Sequence, residues 1–126
     1  FGLKPIAEVT GYAAGGMAPE WVMMAPKAAV ENLEARTGTS RHDYDLLEIN
    51  EAFASVPMAW LHETGYAPEQ TNVNGGAIAM GHPLGATGAM ILSTLIDELH
   101  RRQLRYGLAT LCVGGGMGIC TIVERV

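Results

Sequence analysis

Apolar residues along this chain recur at strand spacing in some segments and at helix spacing in others, which is typical of an α/β domain. A first strand is predicted over Pro5–Tyr12, followed by a loop of small residues with the sequence AAGG. A short second strand is predicted over Asp45–Asn50, where leucine and isoleucine are concentrated. The segments Leu108–Val113 and Ile119–Val126 predict two final strands, and the glycine run between them favours a hairpin.

Helices are predicted between these strands. Ala25–Arg36 has apolar residues at helical spacing, with Pro26 suited to a first turn and Gly38 to a helix end. The clearest amphipathic pattern runs from Leu84 to Arg102 and places two arginines at the end of the helix, where cations favour its dipole.

The segment after the second strand is harder to interpret. A helix is predicted from near Glu51 toward His62, and Pro57 either kinks it or marks the start of a shorter one. Gly65 is positioned to end this helix. Thr71–Asn74 is a candidate for another short strand.

Length and charge narrow the classes of function. A chain of 126 residues is enough for one domain with one core, so we expect a single domain over residues 1–126. The net charge of -5 argues against a general nucleic-acid partner. No long apolar run or signal-like start is present, so we expect no membrane partner and a cytoplasmic location.

The two cysteines, Cys112 and Cys120, are predicted to be free. Residues eight apart in an extended segment are separated by roughly 26 Å, too far for a disulfide. Neither cysteine is paired with another cysteine or a histidine at zinc-ligand spacing, and the histidines are scattered, so no metal site is expected.

Phe1 in place of an initiator Met suggests that this sequence is a piece of a longer one.

Three residues are candidates for chemistry. His82 precedes Pro83, which suits a first helical position, so a neutral imidazole at a helix N-terminus is predicted; the alternative is a loop histidine that caps the helix. Cys112 lies beside a glycine run, where a thiol could exchange protons near an oxyanion site, or it is simply buried. Asn50 either caps a helix or orients a water molecule or a carbonyl group.

The glycine clusters do not form a nucleotide-binding motif. Neither GxGxxG nor GxxxxGK[ST] occurs, and the sequence GGGMG leads into a predicted strand rather than a helix. No nucleotide cofactor is therefore expected.

Three sequence blocks together resemble the thiolase family. They are NEAFA from Asn50, GGAIAMGHPLGATG from Gly75 to Gly88, and CVGGGMG from Cys112 to Gly118, and they occur in the order found in the C-terminal half of that family. The resemblance covers essentially the whole chain. It implies a thiolase-like C-terminal half with a mixed, mostly parallel sheet, helices packed on it and a C-terminal strand hairpin.

The resemblance also implies acyltransferase chemistry on acyl-CoA and CoA, such as condensation of two acetyl-CoA molecules to acetoacetyl-CoA or the reverse thiolysis, with the CoA thioester as substrate and no cofactor. By matching position, His82 would accept the proton of a cysteine nucleophile, and Cys112 would exchange the α-proton of the second acyl-CoA. Asn50 would hold a water molecule in one oxyanion hole and the Gly114 N–H would contribute to another. Ala52 and Phe53 would lie near the pantetheine arm.

In this family the nucleophilic cysteine belongs to the N-terminal half, and neither Cys112 nor Cys120 matches it. The resemblance therefore implies a partner half that supplies the nucleophile, an isolated chain without activity, and a homo-oligomer. Two other functions stay open: a non-catalytic thiolase-like domain for assembly or lipid binding, and a condensing enzyme that uses carrier-protein substrates.

Overall fold

The strands of the chain form one four-stranded sheet in the computed structural model, which describes residues 1–126. The sheet order is β1-β4-β3-β2, where β1 is Ala7–Gly16, β2 is Leu46–Ile49, β3 is Tyr106–Val113 and β4 is Met117–Arg125. β2 and β3 are parallel, whereas β4 is antiparallel to both β1 and β3. Each end of the sheet is thus a different kind of edge: a long antiparallel strand and a short parallel one.

The structure confirms the α/β class, the mixed sheet and the C-terminal hairpin. The expectation that the sheet is mostly parallel is wrong, because two of the three strand pairs are antiparallel. Parallel neighbours require a long crossover connection, whereas a tight turn joins only antiparallel strands. Only the connection from β2 to β3 is a crossover between neighbouring strands, so it alone produces a parallel pair.

Four helices lie between the strands: α1 is Ala25–Thr37, α2 is Ser55–Thr64, α3 is Ala77–Met80 and α4 is Thr87–Arg102. Short 3₁₀ turns occur at Pro19–Met24, Arg41–Asp43 and Pro68–Gln70. Helix α1 matches its prediction to within one residue, and Gly38 is its C-cap, as Gly65 is the C-cap of α2. Of the two interpretations of Pro57, the shorter helix is correct, because Pro57 lies in the first turn of α2.

Three predicted boundaries differ from the structure. The AAGG segment is not a loop but the second half of β1, because its backbone pairs with β4 through Gly16. Thr71–Asn74 forms no strand, and only a single bridge joins Thr71 to Leu47. Helix α4 begins at Thr87 and not near Pro83, because the N–H groups of Ala86 and Thr87 both donate to the Pro83 carbonyl and form a separate turn.

Consecutive strand residues point to opposite faces of the sheet, and both faces are covered. Leu47, Leu108 and Ile122 belong to the larger core under α1 and α2. Their neighbours Leu46, Ala109 and Val123 belong to a smaller core that contains Leu95 and Leu99 of α4. Helix α1 approaches the first face very closely, because a Cβ atom at Gly15 or Gly118 would overlap its backbone. The helices therefore fix the strand ends, where the candidate residues lie.

The structure contains no helix that is both long enough and apolar enough to span a lipid bilayer. Cys112 and Cys120 are both free thiols.

Candidate active site

Asn50 directly follows β2 and is 1% exposed. Its backbone N–H donates to the carbonyl of Thr110 at 3.0 Å, which continues the parallel pairing by one residue. All four residues of β2 are buried, so the position after the strand is also carried into the interior. The side-chain Oδ1 of Asn50 is buried and has no hydrogen-bond partner, an unusual state for a buried acceptor.

A second asparagine holds the end of β2 in place. Asn72 accepts a hydrogen bond from the N–H of Ile49 and donates one to its carbonyl, both at 2.9 Å, so its amide pairs with the strand as a neighbouring backbone would. It also donates to Glu51 Oε1 at 3.1 Å, and the Ile78 N–H donates to Glu51 Oε2 at 3.1 Å. Glu51 is thus a hydrogen-bonded structural acid that links β2 to the start of α3.

His82 contacts Asn50 from a segment more than 30 residues further along the chain. The distance from Asn50 Nδ2 to His82 Nε2 is 3.4 Å. His82 Nδ1 lies 2.7 Å from Thr87 Oγ1, and the Thr87 hydroxyl donates to the Pro83 carbonyl at 2.9 Å. The imidazole is therefore held from both of its nitrogens.

These contacts determine which nitrogen of His82 carries the proton. A threonine hydroxyl has one hydrogen, and a carbonyl oxygen can only accept, so the Thr87 hydrogen belongs to the Pro83 contact. Thr87 Oγ1 must then accept from an Nδ1–H group of His82. Nε2 is left with its lone pair, which a long contact from the Asn50 amide engages only weakly. His82 is exposed, so Nε2 is in position to accept a proton from a group that approaches from outside.

The prediction that Pro83 opens the helix beside His82 is wrong in its geometry. The helix starts at Thr87, and His82 reaches that first residue through its side chain rather than by lying at the helix end. Thr87 is 3% exposed, and sequence reasoning did not place it among the candidate residues. The sequence feature that could have identified Thr87 is a hydroxyl side chain five residues after His82, in the first turn of the predicted amphipathic helix.

Cys112 lies near the end of β3, half-buried, and pairs with Gly118 in the hairpin. Because β2 and β3 are parallel with Ile49 opposite Thr110, Asn50 and Cys112 both lie at the carboxyl end of this strand pair. No hydrogen bond joins the Cys112 thiol to Asn50 or His82. Burial raises the pKa of the Cys112 thiol above its ordinary value, so the thiol is protonated at neutral pH.

Cys120 is a core residue of the last strand. It is 3% exposed, and its thiol donates to the Ala13 carbonyl at 3.6 Å. Burial raises its pKa to about 11. Cys112 is therefore the one cysteine of the two that is open to solvent.

The hairpin between β3 and β4 is a glycine turn. Gly115 and Gly116 have φ values of 77° and 87°, which side chains other than glycine rarely adopt, so the turn itself requires them. Gly114 is exposed and a Cβ there would meet no atom within 4 Å. Nothing in this chain requires glycine at position 114, and the contact of its N–H with an oxyanion stays a prediction.

The two residues predicted near the pantetheine arm lie in the turn before α2. Ala52 is half-buried and packs against the larger core, whereas Phe53 is 61% exposed. Their contact with a CoA arm stays a prediction. The structure thus brings Asn50 and His82 into contact, places Cys112 at the same strand end, and leaves Gly114 and Phe53 open.

No three His, Cys, Asp or Glu side chains lie close enough together to hold a metal ion.

A family model described as "Thiolase, C-terminal domain" matches residues 3–125. The chain belongs to the thiolase family. Among thiolase relatives, the acetyl-CoA acetyltransferase of Chromobacterium violaceum is 48% identical over 124 residues, and that of Escherichia coli is 46% identical over 125 residues; these matches cover 98% and 99% of this chain. The β-ketoadipyl-CoA thiolase of Pseudomonas putida is 48% identical over 127 residues and 99% of the chain.

A solved thiolase structure has the same fold. The Bacillus anthracis acetyl-CoA acetyltransferase superposes with a TM-score of 0.96 over 99% of this chain at 43% identity, and the match covers 32% of that chain. The three curated relatives are likewise matched over 32% of their length. This chain therefore spans about a third of the thiolases that it matches.

Proposed function

We propose that this chain is the C-terminal catalytic domain of a thiolase that joins or cleaves acyl groups carried on CoA. It works with an N-terminal half, outside this sequence, that supplies the nucleophilic cysteine. The relatives named acetyl-CoA acetyltransferase favour acetyl-CoA and acetoacetyl-CoA as the substrate class. The β-ketoadipyl-CoA thiolase at the same identity leaves the length of the acyl chain open within the proposal.

The hydrogen-bonded array of Asn50, His82 and Thr87 is the observation that carries this proposal. It presents a histidine whose Nδ1 is protonated and whose Nε2 carries a lone pair that only the long Asn50 contact engages. A thiol nucleophile needs such a base, because the thiolate is the reactive form. The bond from Nδ1–H to Thr87 persists when Nε2 takes up the proton, so the imidazole keeps its orientation in both protonation states.

In the first proposed step, His82 Nε2 takes the proton of the partner-half cysteine, and the thiolate attacks the carbonyl carbon of an acyl-CoA. The carbon–sulfur bond to CoA breaks, and CoA leaves as a thiol with the proton from His82. Asn50, through a water molecule, and the imidazolium stabilise the negative charge that develops on the carbonyl oxygen.

In the second step, Cys112 takes the α-proton of another acetyl-CoA, and the resulting carbanion attacks the acyl-enzyme carbonyl. A carbon–carbon bond forms, the bond to the nucleophilic cysteine breaks, and the Gly114 N–H stabilises the oxyanion. Burial raises the Cys112 pKa in this chain, which suits the acid that protonates a departing carbanion in thiolysis. For the condensing direction, we propose that the partner half and bound substrate lower it.

A hybrid enzyme tests the proposal. This chain replaces the matching 125-residue segment of the Escherichia coli acetyl-CoA acetyltransferase, and CoA-dependent cleavage of acetoacetyl-CoA is measured. We expect turnover in the hybrid and a loss of about 10²–10⁴-fold in kcat for His82→Ala, the usual contribution of a general base. The matched control is His62→Ala, because His62 is an exposed histidine on α2 that takes no part in the array.

An inactive but folded hybrid, or a His82→Ala variant that turns over as fast as the His62→Ala variant, contradicts the proposed function. Cys112→Ser provides a second comparison with Cys120→Ala. We expect the first change to reduce kcat strongly and the second to act only through stability, because Cys120 is buried in the core.

A further inference from the structure

Glu48 is a buried acid that the proposed reaction does not use. It is the third residue of β2 and is 3% exposed, between apolar neighbours that face the opposite side of the sheet. Neither a hydrogen bond nor an oppositely charged group contributes to its pKa. Acids are almost never buried in this way unless they are paired, so the position requires an explanation.

The charged groups that face Glu48 are themselves acidic. Glu98 of α4 is paired with Arg101 and Arg102 and accepts from Asn74, contacts that lower its pKa to about 2 and keep it ionised. Glu51, after β2, is the second acidic neighbour. Burial first, and then these two charges, raise the pKa of Glu48 to about 8. Its carboxyl is therefore neutral at pH 7 and carries an O–H donor.

Glu48 and Asn50 line one small cavity. They are two residues apart at the end of one strand, so their side chains lie on the same face. The cavity also contains the hydroxyl-bearing side chains of Thr87 and Thr94 and has a volume of about 20 Å³. A site of about 10–15 Å³ with several polar partners is enough for one water molecule. The buried Oδ1 of Asn50 is an acceptor that lacks a donor.

We propose that Glu48 positions Asn50: its neutral carboxyl group donates, through one water molecule in this cavity, to Asn50 Oδ1 and keeps the amide Nδ2 directed at His82. The inference rests on the proposed function, since it gives Asn50 its role beside the base. Glu48 touches no substrate, and it acts only through the orientation of the Asn50 amide. An ionised Glu48 has no hydrogen to donate, so the arrangement is expected to weaken as the carboxyl titrates.

The hybrid enzyme also tests this inference. Glu48→Gln keeps a donor but cannot ionise, whereas Glu48→Met has similar length and no donor. At pH 7 we expect kcat of the Gln variant within about twofold of the parent and that of the Met variant about tenfold lower, the effect of one lost hydrogen bond. KM is expected to change little, and Glu63→Gln, an exposed acid, serves as the control.

The pH profile separates positioning from a structural role. The ratio of kcat for the parent to kcat for Glu48→Gln is expected to be near one below pH 7 and to fall to about one-tenth above pH 9. A ratio that does not change with pH overturns the inference, as does equal kcat for the Gln and Met variants. A failure of His82→Ala to lower kcat is a different result, because it contradicts the proposed function whatever Glu48 does.

A crystal structure of the hybrid gives a readout independent of activity. We expect a water molecule within hydrogen-bond distance of both a Glu48 carboxyl oxygen and Asn50 Oδ1, and its loss in Glu48→Met. A different donor on Asn50 Oδ1 overturns the inference. This measurement also applies if the Met variant folds poorly, since the parent alone then decides it.

Discussion

The two faces of the sheet differ in how they use the interior. On the face under α1 and α2, a core of 13 buried apolar residues packs so closely that Gly15 and Gly118 leave no room for a side chain. On the face under α4, the core has five buried apolar residues, and Glu48, Asn50 and Glu98 are buried beside them. One face is closely packed, and the other buries an amide and two acidic side chains beside its smaller core.

One face of the sheet thus stabilises the strands, and the other accommodates buried polar groups. Close packing on the α1 side fixes the strands and therefore the ends of β2 and β3, where Asn50 and Cys112 lie. The α4 side then carries a buried acid without a countercharge, which reduces stability. We call the face under α1 and α2 the packed face and the face under α4 the polar face. The packed face is expected to supply the stability that the polar face lacks.

The largest effect is expected from a side chain placed in the packed face. Gly118→Ala puts a Cβ against the carbonyl of Ala25 and the backbone of Pro26, and backbone cannot yield as a flexible side chain can. We expect the free energy of unfolding to fall by at least about 3 kcal/mol, the upper end of the overpacking range. Chemical denaturation of the variant and the parent measures the difference.

Gly88→Ala is the matched control for that change. Gly88 lies within α4, and a Cβ there would meet nothing within 4 Å. Because Gly88 is the second residue of α4, we expect no loss and a gain of at most about 0.5–1 kcal/mol, the value for replacing glycine by alanine in a helix interior. Equal losses in both variants would mean that the close approach of α1 does not explain Gly118.

The second effect concerns the polar face and depends on pH. The pKa of Glu48 is raised from 4.5 to about 8 in the folded chain, so the unfolded chain releases this proton at a lower pH. Folding is therefore most favoured below pH 4.5, as far as Glu48 is concerned, and this contribution declines toward pH 8 by at most about 1.4 kcal/mol per pH unit. Glu48→Gln is expected to remove this decline.

Denaturation of parent and Glu48→Gln at several pH values measures the slope. At pH 7 the variant is expected to be more stable by about 1–2 kcal/mol, once the burial of an uncharged amide is subtracted. Parallel curves from pH 5 to pH 8 would show that Glu48 is ionised in the folded chain.

Local signals in the sequence predicted most elements of both faces. Alternating and helical apolar spacing, with glycines after α1 and α2, was enough to place those helices and the last hairpin. The second half of β1 was missed because Ala13–Gly16 has no side-chain pattern, and its structure comes from backbone pairing with β4. The start of α4 was misplaced because a proline also suits the turn that precedes the helix.

The candidate site was predictable only in part, for a physical reason. His82, Asn50 and Cys112 were found through residue type and family resemblance, but the contact between Asn50 and His82 joins positions 32 residues apart, which spacing cannot reveal. Thr87 and Glu48 were missed because each resembles an ordinary residue of its element. An acid inside an otherwise apolar strand was the signal for Glu48.

A smaller effect is expected when the support of His82 is altered. Thr87→Val keeps the shape of the side chain but removes the oxygen that accepts from His82 Nδ1. We expect about a tenfold loss of kcat in the hybrid enzyme, since one hydrogen bond that orients the base is lost. Thr87→Ser retains the oxygen and should recover most of the activity. Equal activity of the Val and Ser variants would remove Thr87 from the array.

The smallest effect is expected from this chain incubated alone with acetyl-CoA. Neither cysteine thiol is in the reactive thiolate form, because burial raises the pKa of both. Cys120 is also enclosed by the core, and Cys112 has no hydrogen bond from His82. Since the thiolate is the nucleophile, a protonated thiol reacts slowly. Intact mass spectrometry is therefore expected to show no stable acetyl adduct, with Cys112→Ala as the comparison. An adduct that this variant abolishes would make Cys112 a nucleophile and contradict its assignment as the acid and base for the α-proton.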